Sequence, residues 1–169
     1  MKLTAILATG PLGEIGHKGS LPWPRMGRDL RRFREATMGK LCVVGRKTHE
    51  TLPPLRGRRI AVLSACTDLG SIPSNKPLDR LVRHPDEIAA LFDKEPEVMV
   101  IGGAEVYRAT WPHLDRILLT VVDGTHPADT YLDPPGVLCE GFACLTSQRH
   151  DPDADNPLGV VFSEWVRRV

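Results

Sequence analysis

The feature that most constrains this chain is a rhythm: short apolar runs bounded by Gly and Pro alternate with stretches whose apolar positions recur at helical spacing. A short run that is apolar throughout suits a strand buried on both faces, as in a parallel sheet. Such runs fall at residues 3–8, 41–44, 60–64, 80–83, 98–101 and 116–122, with later ones near 142–147 and 159–166. Helical spacing occupies 28–38, 46–52, 85–93 and 103–110, the third opening His84-Pro85-Asp86-Glu87 with proline in the first turn and acids behind it. Between the last two runs there is no helical spacing, and Asp151-Pro152-Asp153-Ala154-Asp155-Asn156-Pro157 reads as a turn-rich connection. The expected architecture is α/β: a mostly parallel central sheet of about eight strands, closed by an antiparallel C-terminal hairpin and flanked by about four helices.

A length of 169 residues suits one domain, 1–169, and no repeat, low-complexity tract or linker divides it. Lys and Arg number 22 against 21 Asp and Glu, so a net charge of +1 provides no global field. Neither nucleic acid nor a membrane is therefore an expected partner. The opening run, Met1 to Gly10, is short and no small-x-small cleavage site follows, so it is predicted as the first strand rather than a signal peptide. No other stretch approaches the ~20 apolar residues of a membrane-spanning helix. Cys42, Cys66, Cys139 and Cys144 show no CxxC spacing, and reduced thiols in a cytoplasmic protein are the expectation. There is no HExxH, and no His lies at metal spacing from a Cys, so no metal is predicted. The nucleophile-elbow and phosphate-loop motifs are also missing.

Three segments carry chemistry. The first is Ile15-Gly16-His17-Lys18-Gly19-Ser20-Leu21-Pro22-Trp23-Pro24, followed by a helix containing Asp29, Leu30 and Phe33. At about 100° per residue, Asp29, Leu30, Phe33, Ala36 and Thr37 share one arc, while Arg28, Arg31, Arg32 and Glu35 fall outside it. A carboxylate on a buried stripe needs a helix-terminal role, a cationic partner or a ligand. The arginines between Arg25 and Arg34 read as a solvated face, since they lie on the outward arc of a helix in a protein whose net charge is only +1. The second segment, Val44-Gly45-Arg46-Lys47-Thr48, leaves a strand through Gly into a helix with two cations and a hydroxyl, which suits a phosphate. The third, Val98-Met99-Val100-Ile101-Gly102-Gly103-Ala104-Glu105-Val106-Tyr107, ends an apolar strand in two glycines that permit close backbone approach. Each pattern alone also has an ordinary reading, Asp29 as a complement to the N-terminal helix dipole and the two glycine segments as common turn chemistry, and GxGxxG is not among them.

Together, Ile15-Gly16 through Leu21-Pro22-Trp23, Asp29-Leu30 with Phe33, Val44 through Thr48, Leu55 with Gly57-Arg58, Leu63-Ser64, Ile101-Gly102-Gly103 with Val106-Tyr107, and Leu119-Thr120 resemble dihydrofolate reductases, in order along nearly the whole chain. The resemblance implies hydride transfer from NADPH to C6 of 7,8-dihydrofolate, with protonation at N5, giving tetrahydrofolate for one-carbon metabolism and thymidylate synthesis. It implies that Asp29 grips the 2-amino and N3 edge of the pterin through paired charge-assisted hydrogen bonds. Thr120 would orient that carboxylate, and Leu21 and Trp23 would belong to the catalytic set within a lid over residues 14–24. Asp129 matches a loop acid that bonds the lid. Ile6, Leu7, Ala8, Leu30, Phe33, Leu52, Leu55 and Ile101 would wall the substrate slot, and Arg58 would meet the carboxylate of its tail. On the cofactor side the resemblance assigns Ala8, Ile15, Gly45, Arg46, Lys47, Thr48, Leu63, Ser64, Arg83, Ile101, Gly102, Gly103, Ala104, Glu105, Val106 and Tyr107, with a cis peptide between the paired glycines.

This chain departs from the usual pattern at Leu21 and His49, and by one extra residue between Trp23 and Asp29. Two other functions share the fold: a pyrimidine reductase of riboflavin synthesis, and a non-catalytic folate- or nucleotide-binding component. Trp23, Asp29 and Thr120 in family order argue against the first, and the second would show a missing carboxylate or a damaged lid, neither of which the sequence has.

Overall fold

The computed structural model describes residues 1–65 and 78–169, and of Leu91 the backbone alone. Cys66 lies outside the described residues. The runs predicted as strands are strands: β1 (Lys2–Thr9), β3 (Leu41–Gly45), β4 (Arg59–Leu63), β5 (Arg80–Val82), β6 (Glu97–Val100), β7 (Arg116–Val122), β9 (Phe142–His150) and β10 (Val160–Arg167). They form an eight-stranded sheet in the order β5-β4-β3-β6-β1-β7-β10-β9. A separate two-stranded sheet joins β2 (Glu14–Gly16) to β8 (Thr130–Tyr131). These two strands have too few residues to show a period of two, which is why the sequence pattern missed them.

The four predicted helices are α1 (Gly27–Thr37), α2 (Arg46–Thr51), α3 (Glu87–Leu91) and α4 (Ala104–Thr110). Among the described residues there is a fifth short helix, α5 (Pro135–Leu138). It is one turn begun by a proline pair, too short to register as helical spacing.

The chain groups into two compact units, Met1–Thr4 with Thr37–Leu114, and Ala5–Ala36 with Asp115–Val169. In the first, β3 pairs in parallel with β4 and with β6, and β4 with β5, with Gly45 opposite Leu63 and Leu63 opposite Val82. The carboxyl ends of these strands therefore lie along one edge. β3, β4 and β6 are apolar through their middles because both faces are covered, and Val43, Ala61, Val98 and Met99 are fully buried.

In the second unit β10 pairs antiparallel with both β7 and β9, so the C-terminal strand inserts between two earlier ones. Trp23, Met26, Val122 and Val160 form a buried cluster against which Ala8, Leu158 and Phe162 pack. Helix α1 begins beside the predicted turn-rich connection. The side-chain oxygen of Asn156 accepts the Arg28 backbone N–H at 2.7 Å, satisfying one of the donors that every helix N-terminus leaves unpaired.

Candidate active site

The acid of the site stands in the first turn of α1, where the helix dipole favours a negative charge. Asp29 is partly buried, and its Oδ1 accepts the Thr120 hydroxyl at 2.7 Å from β7. Thr120 is 1% exposed, so this bond lies where water competes little. Burial raises the Asp29 carboxyl above its ordinary 3.8, and the Thr120 bond and the charge of Arg32 pull against that rise. The predicted pairing of Asp29 with Thr120 is thus a direct contact.

Two neighbours of Asp29 differ from expectation. Leu30 is 39% exposed rather than buried on the helix stripe. Arg32, predicted to face solvent, is partly buried. Its Nη1 donates to the Leu119 carbonyl at 2.9 Å and to Thr120 Oγ1 at 3.0 Å, its Nη2 donates to the Ser163 carbonyl at 2.9 Å, and its guanidinium lies 4.5 Å from the Phe162 ring centroid. The helical wheel failed here because a long flexible side chain reaches around the helix to strand carbonyls outside its own arc.

Of the other predicted residues, Ile6 and Leu7 of β1 are buried, Ala8 and Phe33 partly so. Trp23 is 5% exposed, meets His126 edge-on at 5.6 Å, and has a buried Nε1 with no hydrogen-bond partner among the described residues. Leu21 is 49% exposed. Residues 17–20 close a tight turn in which His17 and Ser20 exchange backbone hydrogen bonds of 2.8 and 3.0 Å. Lys18 and Gly19 both have positive φ, 48° and 77°, as this hairpin turn demands. Asp129 Oδ2 accepts the Lys18 N–H at 2.7 Å, and its Oδ1 accepts the Thr130 hydroxyl at 2.8 Å. The Asp129 carboxyl is held below its ordinary range, first by the Lys18 bond and then by Thr130.

The other residues lie in the first unit. Gly45, Arg46, Lys47 and Thr48 follow β3, Ser64 follows β4, Arg83 follows β5, and Ile101 to Gly103 follow β6, all at the carboxyl edge where open α/β sheets take ligands. The Gly102–Gly103 peptide is cis. A Cβ on Gly45 would stand 3.0 Å from Val106 Cγ2, and one on Gly103 would stand 2.8 Å from Thr48 Oγ1, so side chains there would fill the cradle. Val106 and Tyr107 are buried, while Ala104 is partly exposed and Glu105 exposed. Arg46 lies 3.7 Å from Glu50 in a weak helix-face pair, and Lys47 and Arg83 are exposed.

Leu52, Leu55 and Ile101 line one small hollow with Val44, His49 and Ile60. His49, the departure noted beside the phosphate-type segment, is buried in its wall. Arg58 Nη1 reaches Thr37 Oγ1 at 3.4 Å, and its Nε is buried without a partner among the described residues. Leu63 is buried and Ile15 partly exposed. A larger hollow, about 480 Å³, is lined by Leu119, Val121, Val161 and Trp165. Side chains alternate along a strand, so these residues face away from Thr120 and Phe162, and that hollow is not the one holding Asp29.

The fold has known counterparts. A dihydrofolate reductase from Enterococcus faecalis complexed with NADP(H) and RAB-propyl superposes with a TM-score of 0.85, covering 99% of this chain and 97% of that one at 28% identity. The chain is 33% identical to a dihydrofolate reductase type 3 of Salmonella typhimurium over 99% of both sequences. It is also 36% identical to a dihydrofolate reductase type 8 of Escherichia coli over 79% of this chain and 81% of the relative. The dihydrofolate reductase family model matches residues 2–167. This chain belongs to the dihydrofolate reductase family.

Proposed function

We infer that this protein is an NADPH-dependent dihydrofolate reductase that converts 7,8-dihydrofolate to tetrahydrofolate, working as one monomeric, cytoplasmic domain over residues 1–169. The observation that carries this reading is the bonded Asp29–Thr120 pair within a chain that matches the family from end to end. The pterin edge that bears the 2-amino group and N3 resembles a guanidinium, and a carboxylate fixed by a neighbouring donor accepts two parallel hydrogen bonds from it. Asp29 also keeps a negative charge near N5, which favours its protonation. It grips the far side of the ring, so a water beside Leu21 delivers the proton, and the orphan Trp23 Nε1 donor gives such a water a partner. Arg58, with its buried and unpartnered Nε, has donor capacity for the carboxylate of the substrate tail. Leu52, Leu55 and Ile101 supply apolar wall for the ring that joins pterin to tail.

The glycine cradle of Gly45 and Gly103 fits a cofactor pyrophosphate, because any side chain there would collide with Thr48 or Val106. NADPH, when bound, supplies the hydride. Arg46, Lys47 and Thr48 flank its phosphates, and the exposed Arg83 beside Ser64 offers a charge to the 2′-phosphate that distinguishes it from NADH. Among the described residues no helix is long and apolar enough to cross a membrane. The decisive experiment adds dihydrofolate to purified protein and NADPH and follows loss of NADPH absorbance. Rapid loss is expected; no loss with dihydrofolate, but loss with a ribosylamino-pyrimidine, would transfer the protein to the other reductase class.

A further inference from the structure

The Arg32 guanidinium is an unexpected occupant of the Asp29 neighbourhood, and its geometry is specific. A guanidinium has only donors, so the 3.0 Å contact makes Thr120 Oγ1 the acceptor from Arg32. A threonine hydroxyl has one hydrogen, and in this arrangement that hydrogen goes to Asp29 Oδ1 at 2.7 Å. The reverse polarity, with a protonated Asp29 donating to Thr120, would turn the hydroxyl hydrogen away from the acid. Arg32 is itself held in place. Leu119 and Ser163, which face one another across the β7–β10 pairing, each give it a carbonyl, and Phe162, opposite Thr120, lies under its plane. A charged fork with two strand carbonyls and an aromatic face has little freedom to swing away.

We propose that Arg32 is a positioning residue for the reaction: by donating to Thr120 it commits that hydroxyl to Asp29, and it sets a fixed positive charge beside the acid that grips the pterin. The proposal rests on the reductase reading of the same site. Among the described residues, the other ionisable groups on this face include Arg116 of β7 and Glu164 of β10, which pair with each other at 2.8 Å, and His150 of β9, whose ring centroid lies 4.9 Å from that of Phe162. Glu164 helps hold the charge of Arg32, while Arg116 opposes it, and burial is the larger influence lowering Arg32. Among the described residues, the charged group that acts on Asp29 is Arg32, against the rise that burial causes.

The test is a titration of the Asp29 carboxyl by carbon NMR in the ligand-free protein, made on the unsubstituted chain, Arg32→Met, Arg32→Gln and Arg32→Lys. Both neutral variants should move the midpoint upward by about one pH unit, the low end of what a neighbouring unit charge does to a carboxyl. Arg32→Lys keeps the charge and loses the fork, and should shift by less than half as much. The acidic limb of the kcat/KM profile for dihydrofolate should move in the same direction, with NADPH affinity within about twofold of the parent as the control for folding. Arg32→Gln retains an amide donor for the strand carbonyls and carries the test if Arg32→Met does not fold. Midpoints unchanged in the neutral variants overturn the proposal. So does a Lys variant as displaced as the Met variant, or a loss of kcat/KM independent of pH. A parent protein that titrates as described but fails to reduce dihydrofolate would sink the functional reading, and with it the role in the reaction, leaving only the effect of Arg32 on the Asp29 carboxyl.

Discussion

At the scale of single residues, Asp29 is a conflict between stability and use. Burial raises its carboxyl above 3.8, so the folded state binds its proton more tightly than the unfolded chain does. Its contribution to stability is therefore fully present below that ordinary value and is lost as pH rises through the elevated one. Asp29→Asn removes that loss. The melting temperature of Asp29→Asn minus that of the parent should grow from pH 4 toward neutrality; a difference that shrinks over this range would contradict the assignment. The same variant should keep NADPH binding and lose about two to three orders of magnitude in turnover at neutral pH, as removal of a well-placed electrostatic group does. Partial recovery in acid is expected, where the substrate arrives protonated, and a steady-state pH profile of the variant reads it.

At the scale of elements, two long-range side-chain contacts fix segments that would otherwise have few restraints. Asp129 ties the turn at residues 17–20 through the Lys18 N–H, and because its carboxyl is held below the ordinary range this tie persists at neutral pH and weakens only in acid. Asp129→Ala should speed amide hydrogen exchange across residues 14–24 and slow hydride transfer in single-turnover kinetics; unchanged exchange would remove the lid role. Asn156 caps α1 from the far end of the sequence and is 5% exposed. Asn156→Ala should destabilise the protein by about 1–2 kcal/mol in urea unfolding, with the loss of a helix cap as the cause. Sequence reading recognised the segment 151–157 as a turn and could not see that it starts a helix more than a hundred residues earlier. It read Arg32 as solvated for a similar reason, since helical spacing locates a Cα and not the reach of a guanidinium. The strands and main helices, by contrast, were legible because burial on both faces leaves a local mark in composition.

At the scale of the whole molecule, burial decides which groups react. Desolvation pushes the Cys42 thiol up to about 12 despite Arg58 and Lys40 nearby, and Cys139 up to about 11. Cys144 is exposed on β9. Iodoacetamide at pH 8 should label Cys144 in the folded protein and spare Cys42 and Cys139 until denaturant is added, as read by peptide mass spectrometry. Labelling of Cys42 in the native state would contradict its burial. The net charge of +1 likewise conceals local division, with Arg58 and Arg83 among the first unit's cations and Asp29 held against Arg32 in the second.

The sequence by itself determined the order of strands and helices along the chain and the glycines of the two strand-to-helix turns, because each rests on local pattern, while motifs kept in family order put Asp29 and Thr120 forward as bonded partners. Only the tertiary structure decided what surrounds them: β10 inserted between β7 and β9, Asn156 at the head of α1, and Arg32 laid across Leu119, Thr120 and Ser163. The physical reason is that strand burial and turn geometry are imposed on neighbours in sequence, whereas a hydrogen bond or an ion pair depends on distance in space, which the fold alone sets.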